Sequence, residues 1–207
     1  TGGAINYVPA APTDTLQAGI TVGYGSFNRI SQEAYISGPI SDTLRVRVSE
    51  RTVNQDGWQK SLTRPGDRNG KVKTMEGRVL VEFQPSDGAK FQLNVNGWTD
   101  KGQPQAAHLI GFNVQIPGAG DPDVLASPLA PRSNRAADWV PGLPKRNNSF
   151  FQASLRGDIE ILDGVTLTSV SAYSKLKQNE RISWDGTALP EQLYDPEKGN
   201  IRSLYQE

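Results

Sequence analysis

The chain has no cysteine, one histidine and one methionine in 207 residues. Disulfides and thiolate metal centres are therefore impossible, and a lone histidine cannot build a His-rich zinc site. An excess of one charge is missing too, with 22 Lys+Arg against 22 Asp+Glu. That balance leaves no electrostatic footprint for nucleic acid. No apolar run approaches the roughly 18 residues of a membrane-spanning helix, which excludes a helical membrane protein. Apolar residues do not recur at helical spacing either, and no helix is expected.

What the chain has instead is alternation with a period of two. Leu16, Ala18, Ile20, Val22 and Tyr24 fall on one side of the first such segment, with Gln17, Gly19, Thr21 and Gly23 on the other. Successive strand side chains point to opposite faces, so this is a sheet pattern. Leu44, Val46 and Val48 against Arg45, Arg47 and Ser49 repeat it. So do Val79, Val81 and Phe83 against Arg78 and Glu82, and Leu155, Ile159 and Ile161 against Arg156, Asp158 and Glu160. Seven strands are expected, near 16–25, 29–40, 43–53, 75–83, 91–97, 151–161 and 165–176, with an eighth beginning near 201. The expected class is all-β, an antiparallel up-and-down meander.

After the first hairpin the connections alternate strictly in length. Those at 39–42, 85–90 and 162–164 are short, while those at 54–71, 99–148 and 177–200 are long. In a meander every second connection lies at the same end, so one end carries tight turns and the other large loops. Outer-membrane barrels have that asymmetry. A soluble sandwich shows the same side-chain alternation, and periodicity alone leaves both open; the loops favour the barrel. Leu44, Val46, Val48, Val79, Val81, Phe83, Leu155, Ile159 and Ile161 would then face lipid. Arg45, Arg47, Arg78, Glu82, Arg156, Asp158 and Glu160 would line a wet lumen. Tyr24, Phe83, Trp98 and Tyr173 stand at strand ends, as interfacial aromatics or as ordinary packing residues.

Catalytic chemistry finds no carrier. There is no nucleophile–base pairing, phosphate-cradling loop or metal-ligand spacing. Asp158 and Glu160 share a strand face, but nothing places a cleft between them for a glycosidic bond. Asp121 and Asp123 are close carboxylates without the spacing of a calcium loop. No catalytic residue, metal or cofactor is expected. The long loops hold the candidate ligand contacts: Trp58, His108, Arg132, Arg135, Trp139 and Trp184. For the tryptophans the alternatives are gripping a ligand and anchoring the loop's own packing.

Several short runs together resemble one family. Thr1-Gly2-Gly3-Ala4-Ile5-Asn6-Tyr7-Val8 is similar to the last plug strand of TonB-dependent outer-membrane receptors, where a Gly-Gly-x-Ile-Asn run hands the chain to the barrel. Gly23-Tyr24-Gly25-Ser26-Phe27-Asn28, Ser37-Gly38-Pro39-Ile40, Asp56-Gly57-Trp58, Ala172-Tyr173 and Gln206-Glu207 follow in matching order. The resemblance implies that residues 1–10 end a plug domain and 11–207 begin a barrel of about 22 strands, the class with a plugged lumen. It implies active import of a scarce, bulky nutrient, such as an iron–siderophore complex, across the outer membrane of a Gram-negative bacterium. The implied partners are outer-membrane lipid, the nutrient, and the TonB complex acting through an N-terminal region outside this sequence. The alternative is a soluble all-β module that binds carbohydrate.

Overall fold

The computed structural model describes residues 2–3, 8–116, 118–131, 135–190 and 197–206, and the side chains of these except at 197 and 198. Most of the Gly-Gly-x-Ile-Asn run, Arg132 and Glu207 lie outside the described residues.

Eight long strands form one antiparallel sheet: β1 (Gln17–Gly25), β2 (Arg29–Ser41), β3 (Leu44–Gln55), β6 (Val72–Ser86), β7 (Ala89–Asp100), β10 (Asn148–Leu162), β11 (Val165–Arg181) and β12 (Glu197–Gln206). Each pairs with the next in sequence, so the chain is an up-and-down meander. Among the described residues β1 and β12 do not pair, and the sheet is open. Between these strands lie short ones, β4 (Gln59–Ser61), β5 (Arg68–Asn69), β8 (Ala136–Ala137) and β9 (Lys145–Arg146). One turn of helix, α1 (Pro122–Leu125), interrupts the all-strand expectation. Asp121 caps it, accepting from the backbone N–H of Asp123 at 2.8 Å, with Pro122 opening the helix. The local signal is a cap and a proline rather than any periodicity.

The turn chemistry explains the register. Phe27 and Asn28 both adopt positive φ, 62° and 51°, as a tight hairpin with the right-handed strand twist requires. Asparagine takes this conformation readily and phenylalanine does not. Two outside contacts hold Phe27: its carbonyl accepts from Asp56 N–H at 2.9 Å, and the Arg135 guanidinium lies 4.8 Å above its ring. Residues 56–71, 101–147 and 182–196 connect strands at the same end as this turn, whereas 42–43, 87–88 and 163–164 close the other end.

The two faces of the sheet differ in character. Rows of directly paired residues such as Val46–Val81–Leu93–Leu155 and Val48–Val79–Val95–Ala153–Tyr173 make one face apolar. On the other face Glu82 accepts from Arg45 at 3.0 Å and Lys90 at 2.8 Å, Arg51 meets Glu33 at 2.9 Å, and Arg156 meets Asp158 at 2.8 Å. Trp98 belongs to this polar face, stacked on Phe150 at 6.1 Å, and so takes the packing role of the two expected for it. It has the parity of Asn94 and Asn96, and strand geometry puts all three on one side. The segment leading into β1 also lies on the polar face. Thr13 N–H donates to Ser37 Oγ at 3.0 Å and Asp14 reaches Arg45 at 2.7 Å.

Little of the apolar face is covered. The buried hydrophobic residues among those described are Val53, Ala106, Ala137 and Trp139, and none belongs to the apolar rows. Leu16, Ile20, Val22, Ile36, Leu155 and Leu167 all stand exposed.

The exposed apolar band slants. Ile20 centres the run from Leu16 to Tyr24 on β1, and its ladder row passes through Ala34, Glu50, Gly77, Gly97 and Phe151 to Lys175. On β7 the apolar run centres on Leu93, four positions from Gly97 after four strand steps. On β11 it spans Val165, Leu167 and Tyr173 with two serines between, centred six positions from Lys175 after six steps. The band drops about one residue, or 3.3 Å, per strand spacing of about 4.8 Å, towards the tight-turn end. That slope corresponds to an angle of about 35° between the strands and the normal of the band.

Candidate functional site

The long loops are built rather than loose. Residues 56–71 and 101–147 contribute β5, β4 and β8 to a separate three-stranded sheet, with β4 antiparallel to β5 and parallel to β8. Its interior is polar. Gln59 is fully buried, and its side-chain amide both donates to the Ala106 carbonyl at 3.0 Å and accepts from the Ala106 N–H at 2.9 Å. Asn69 donates to Gln59 and to the Pro104 carbonyl, each at 3.0 Å. A buried amide that mimics a peptide in this way satisfies backbone groups that no strand partner reaches.

Asp138 fastens the two loops together. Its carboxylate accepts from Ser61 Oγ at 2.7 Å, Thr63 Oγ1 at 2.7 Å and Thr63 N–H at 3.2 Å. The Arg64 guanidinium stands 3.4 Å away, donates to the Trp139 carbonyl at 2.7 Å and lies 5.5 Å from the centre of the Trp139 ring. A buried carboxylate is tolerated when its oxygens are met by donors and a cation, as here.

The candidate ligand residues separate into two groups and a buried anchor. Trp58 and Arg135 come together beside the β1–β2 turn, where Arg135 Nε donates to the Trp58 carbonyl at 3.4 Å and its guanidinium covers Phe27. Gly70, at φ +82°, lets the Trp58 indole lie flat against the backbone, since a Cβ there would stand 2.5 Å from Nε1. His108 belongs to the second long loop. Gly186 packs against the backbone of Ala107 and Leu109 on either side of it, which brings the third long loop and Trp184 to the same region. His108 Nε2 is buried without a hydrogen-bond partner, and Trp184 is 57% exposed. Trp139 is 2% exposed and packs with Ala106 and Ala137, so it takes the anchoring role of the two alternatives.

Below the loops, a groove of about 630 Å³ runs over the polar face of β1–β3, β6 and β7. Glu33, Tyr35, Arg47, Arg51, Arg78 and Trp98 line it, with the Arg47 guanidinium 4.2 Å above the Tyr35 ring. Glu33, Tyr35, Arg51 and Trp98 are groove residues that sequence reasoning did not place there. Their parity with charged and amide neighbours is the signal that locates them. At the loop end of the sheet, Arg146 bridges Asp100 at 3.0 Å and Glu180 at 2.7 Å. Burial opposes its charge, but hydrogen bonds and attraction from the two carboxylates more than offset this and raise its pKa.

Cations, carboxylates and aromatic rings along one polar groove make a surface suited to a polar or charged molecule. Compared with protein-family models, curated proteins and solved structures, the chain matches none, so the meaning of this arrangement rests on its geometry.

Proposed function

We propose that the chain is part of a TonB-dependent outer-membrane receptor, comprising the end of the plug and the first eight strands of the barrel, and that it imports an iron–siderophore complex or a nutrient of similar bulk. The observation that carries this reading is the uncovered, slanted apolar band. A soluble sheet buries its apolar face under a second layer. Here the face stays bare over eight strands, and its slope of about 35° is the tilt of strands that cross a bilayer within a barrel. Lipid is the covering that fits.

Three further features support the same reading. After the first hairpin, tight turns lie at one end and long loops at the other, as in barrels with short periplasmic and long extracellular connections. The segment before β1 runs along the polar face, where a plug inside the lumen would deliver the chain. Open edges cannot persist in hydrocarbon, so β1 and β12 would pair with strands outside these 207 residues. Import breaks no covalent bond. The loop layer and the polar groove below it would hold the ligand while TonB, energised from the inner membrane, displaces the plug.

Uptake of labelled ferric siderophores by cells with and without the intact gene tests this. The expected result is loss of uptake of at least one chelate on deletion, and equal loss when TonB is removed. Full uptake in the deletion strain, together with a chain that stays monodisperse in detergent-free buffer, would refute it and favour the carbohydrate-binding module, for which the Trp98–Phe150 pair offers a stacking platform.

A further inference from the structure

The chain reaches its first strand by an indirect path. Among the described residues, its first hydrogen bonds and ion pairs to the sheet are made by Thr13 and Asp14, before β1 begins at Gln17. The Thr13 N–H donates to Ser37 Oγ on β2 at 3.0 Å, and the two hydroxyls stand 2.9 Å apart. The Thr13 hydroxyl also donates to the Thr15 carbonyl at 2.8 Å, which stiffens the segment. Asp14 reaches one strand further, to Arg45 on β3 at 2.7 Å.

Asp14 is 83% exposed, and an exposed ion pair by itself holds little. What makes the seat firm is what lies behind it. Ser37 is 1% exposed. Arg45 is gripped from its other side by Glu82 at 3.0 Å, a buried carboxylate that also takes Lys90 at 2.8 Å and Gln92 at 3.1 Å. The two anchor points are therefore rooted in β2, β3, β6 and β7 rather than in β1. Gly38 completes the seat, since a Cβ there would stand 3.0 Å from Leu16 Cα. Upstream, Val8 is exposed, and Pro9 and Pro12 favour a stiff, extended run that lacks two of the N–H groups an edge strand would pair with.

A strand loaded from its end opens like a zipper, rung by rung, and Gln17–Ser37 is the first rung of β1. A load that enters through Thr13 and Asp14 must first break side-chain contacts on two other strands. We propose that residues 13–14 form a strain-relief clasp, which passes tension on the upstream chain into β2 and β3 and keeps β1 paired while the plug is displaced. The proposal rests on the receptor reading above, in which TonB acts on the plug, and adds a device that protects the first strand of the barrel.

The test pulls the full-length receptor, held in a lipid bilayer, by the N-terminus of its plug and follows extension against force. In the wild type the freed chain should stop at residue 12. In Asp14→Ala/Ser37→Ala it should run on to residue 16 before β1 yields, about 14 Å further for four extended residues. Release of β1 at a fixed load should become about tenfold faster, the loss expected for a neutral hydrogen bond and an exposed ion pair. Asp14→Ala alone, at an exposed position that folding does not depend on, should speed it about threefold. Arg156→Gln, which breaks an exposed ion pair elsewhere on the polar face, should change neither length nor rate. Equal lengths and rates in the wild type and the double variant overturn the proposal, as does an equal shift in Arg156→Gln. A receptor that enters the bilayer and yields its plug without these differences sinks this inference alone, whereas a chain that does not enter the bilayer sinks the receptor reading with it.

Discussion

An arginine at Val46 would sit at the centre of the three-row apolar run on β3, between Leu44 and Val48. If that run faces lipid, the charge lies near the bilayer midplane, where such substitutions cost about 2–4 kcal/mol in barrels. Depth along the strand then sets a graded series. Val48 is two residues on, about 7 Å along the strand and about 5–6 Å along the normal at the observed slope, still within an apolar half-height of about 12 Å. Thr52 has the same parity six residues on, about 16 Å along the normal, beyond the band. The slanted band is centred between 46 and 48 on β3, so Arg at 46 and at 48 should cost about the same, and Arg at 52 should cost least, about 0–1 kcal/mol. On the other face Arg47→Gln removes a stacking contact with Tyr35 and should cost about 0.5–1 kcal/mol. Glu82 is a poor mild control, because its carboxylate meets Arg45, Lys90 and Gln92; Glu82→Gln strips two cations of their partner, at about 1.5–3 kcal/mol. The assay is urea titration of the complete protein folded in lipid vesicles, read by linear extrapolation. Equal costs at 46 and 52, or at 46 and 47, would refute the lipid-facing assignment.

Other expectations follow from the same geometry. Ser127→Cys, beside α1 in the second long loop, should react with an impermeant maleimide on intact cells, while Ser86→Cys at a tight turn should react only after the outer membrane is permeabilised; the reverse order inverts the topology. Replacing 101–147 by a short Gly-Ser turn should preserve barrel insertion, read by heat-modifiable gel migration, and abolish high-affinity uptake; wild-type uptake would place recognition elsewhere. Asp138→Ala should leave Ser61 and Thr63 without their acceptor and loosen the loop sheet by about 2–4 kcal/mol. That loss should appear as faster proteolysis near 62–67 with unchanged hydrogen exchange in the long strands, and unchanged cleavage would show that the knot is not structural.

Seven of the eight long strands and the tight turns between them were legible from alternation across the apolar band, and the eighth, expected near 201, begins at Glu197. Legibility stopped where the band stops. β11 continues through Lys177, Gln178, Asn179, Glu180 and Arg181, still hydrogen-bonded to β12, but both faces there are polar and the alternation signal vanishes. The pattern reports what surrounds a strand, and hydrogen bonding outlasts it. The loop sheet left no trace of that kind. Its parallel pairing of Lys60 with Ala136 joins distant parts of the chain through two- and three-residue strands, too short for any periodicity. The anchoring of Trp139 depends on Arg64 and Ala106, supplied from elsewhere, so a tryptophan in a loop could not be assigned to packing or to ligand from its own neighbours in sequence.

The alternation of tight turns with long loops also bears on the order in which the chain assembles. β2–β3, β6–β7 and β10–β11 are each joined by two residues, whereas β7 and β10 are separated by residues 101–147. Closing that longer connection requires about 3 kcal/mol more loop entropy than closing a two-residue turn. The three hairpins are thus the natural kinetic units: each can zip from its own turn, and the loops only tether finished units until they dock edge to edge. Each unit already carries one apolar and one charged face, so docking in the wrong register by one residue would invert a whole hairpin. Errors of assembly should then be hairpin-sized rather than strand-sized.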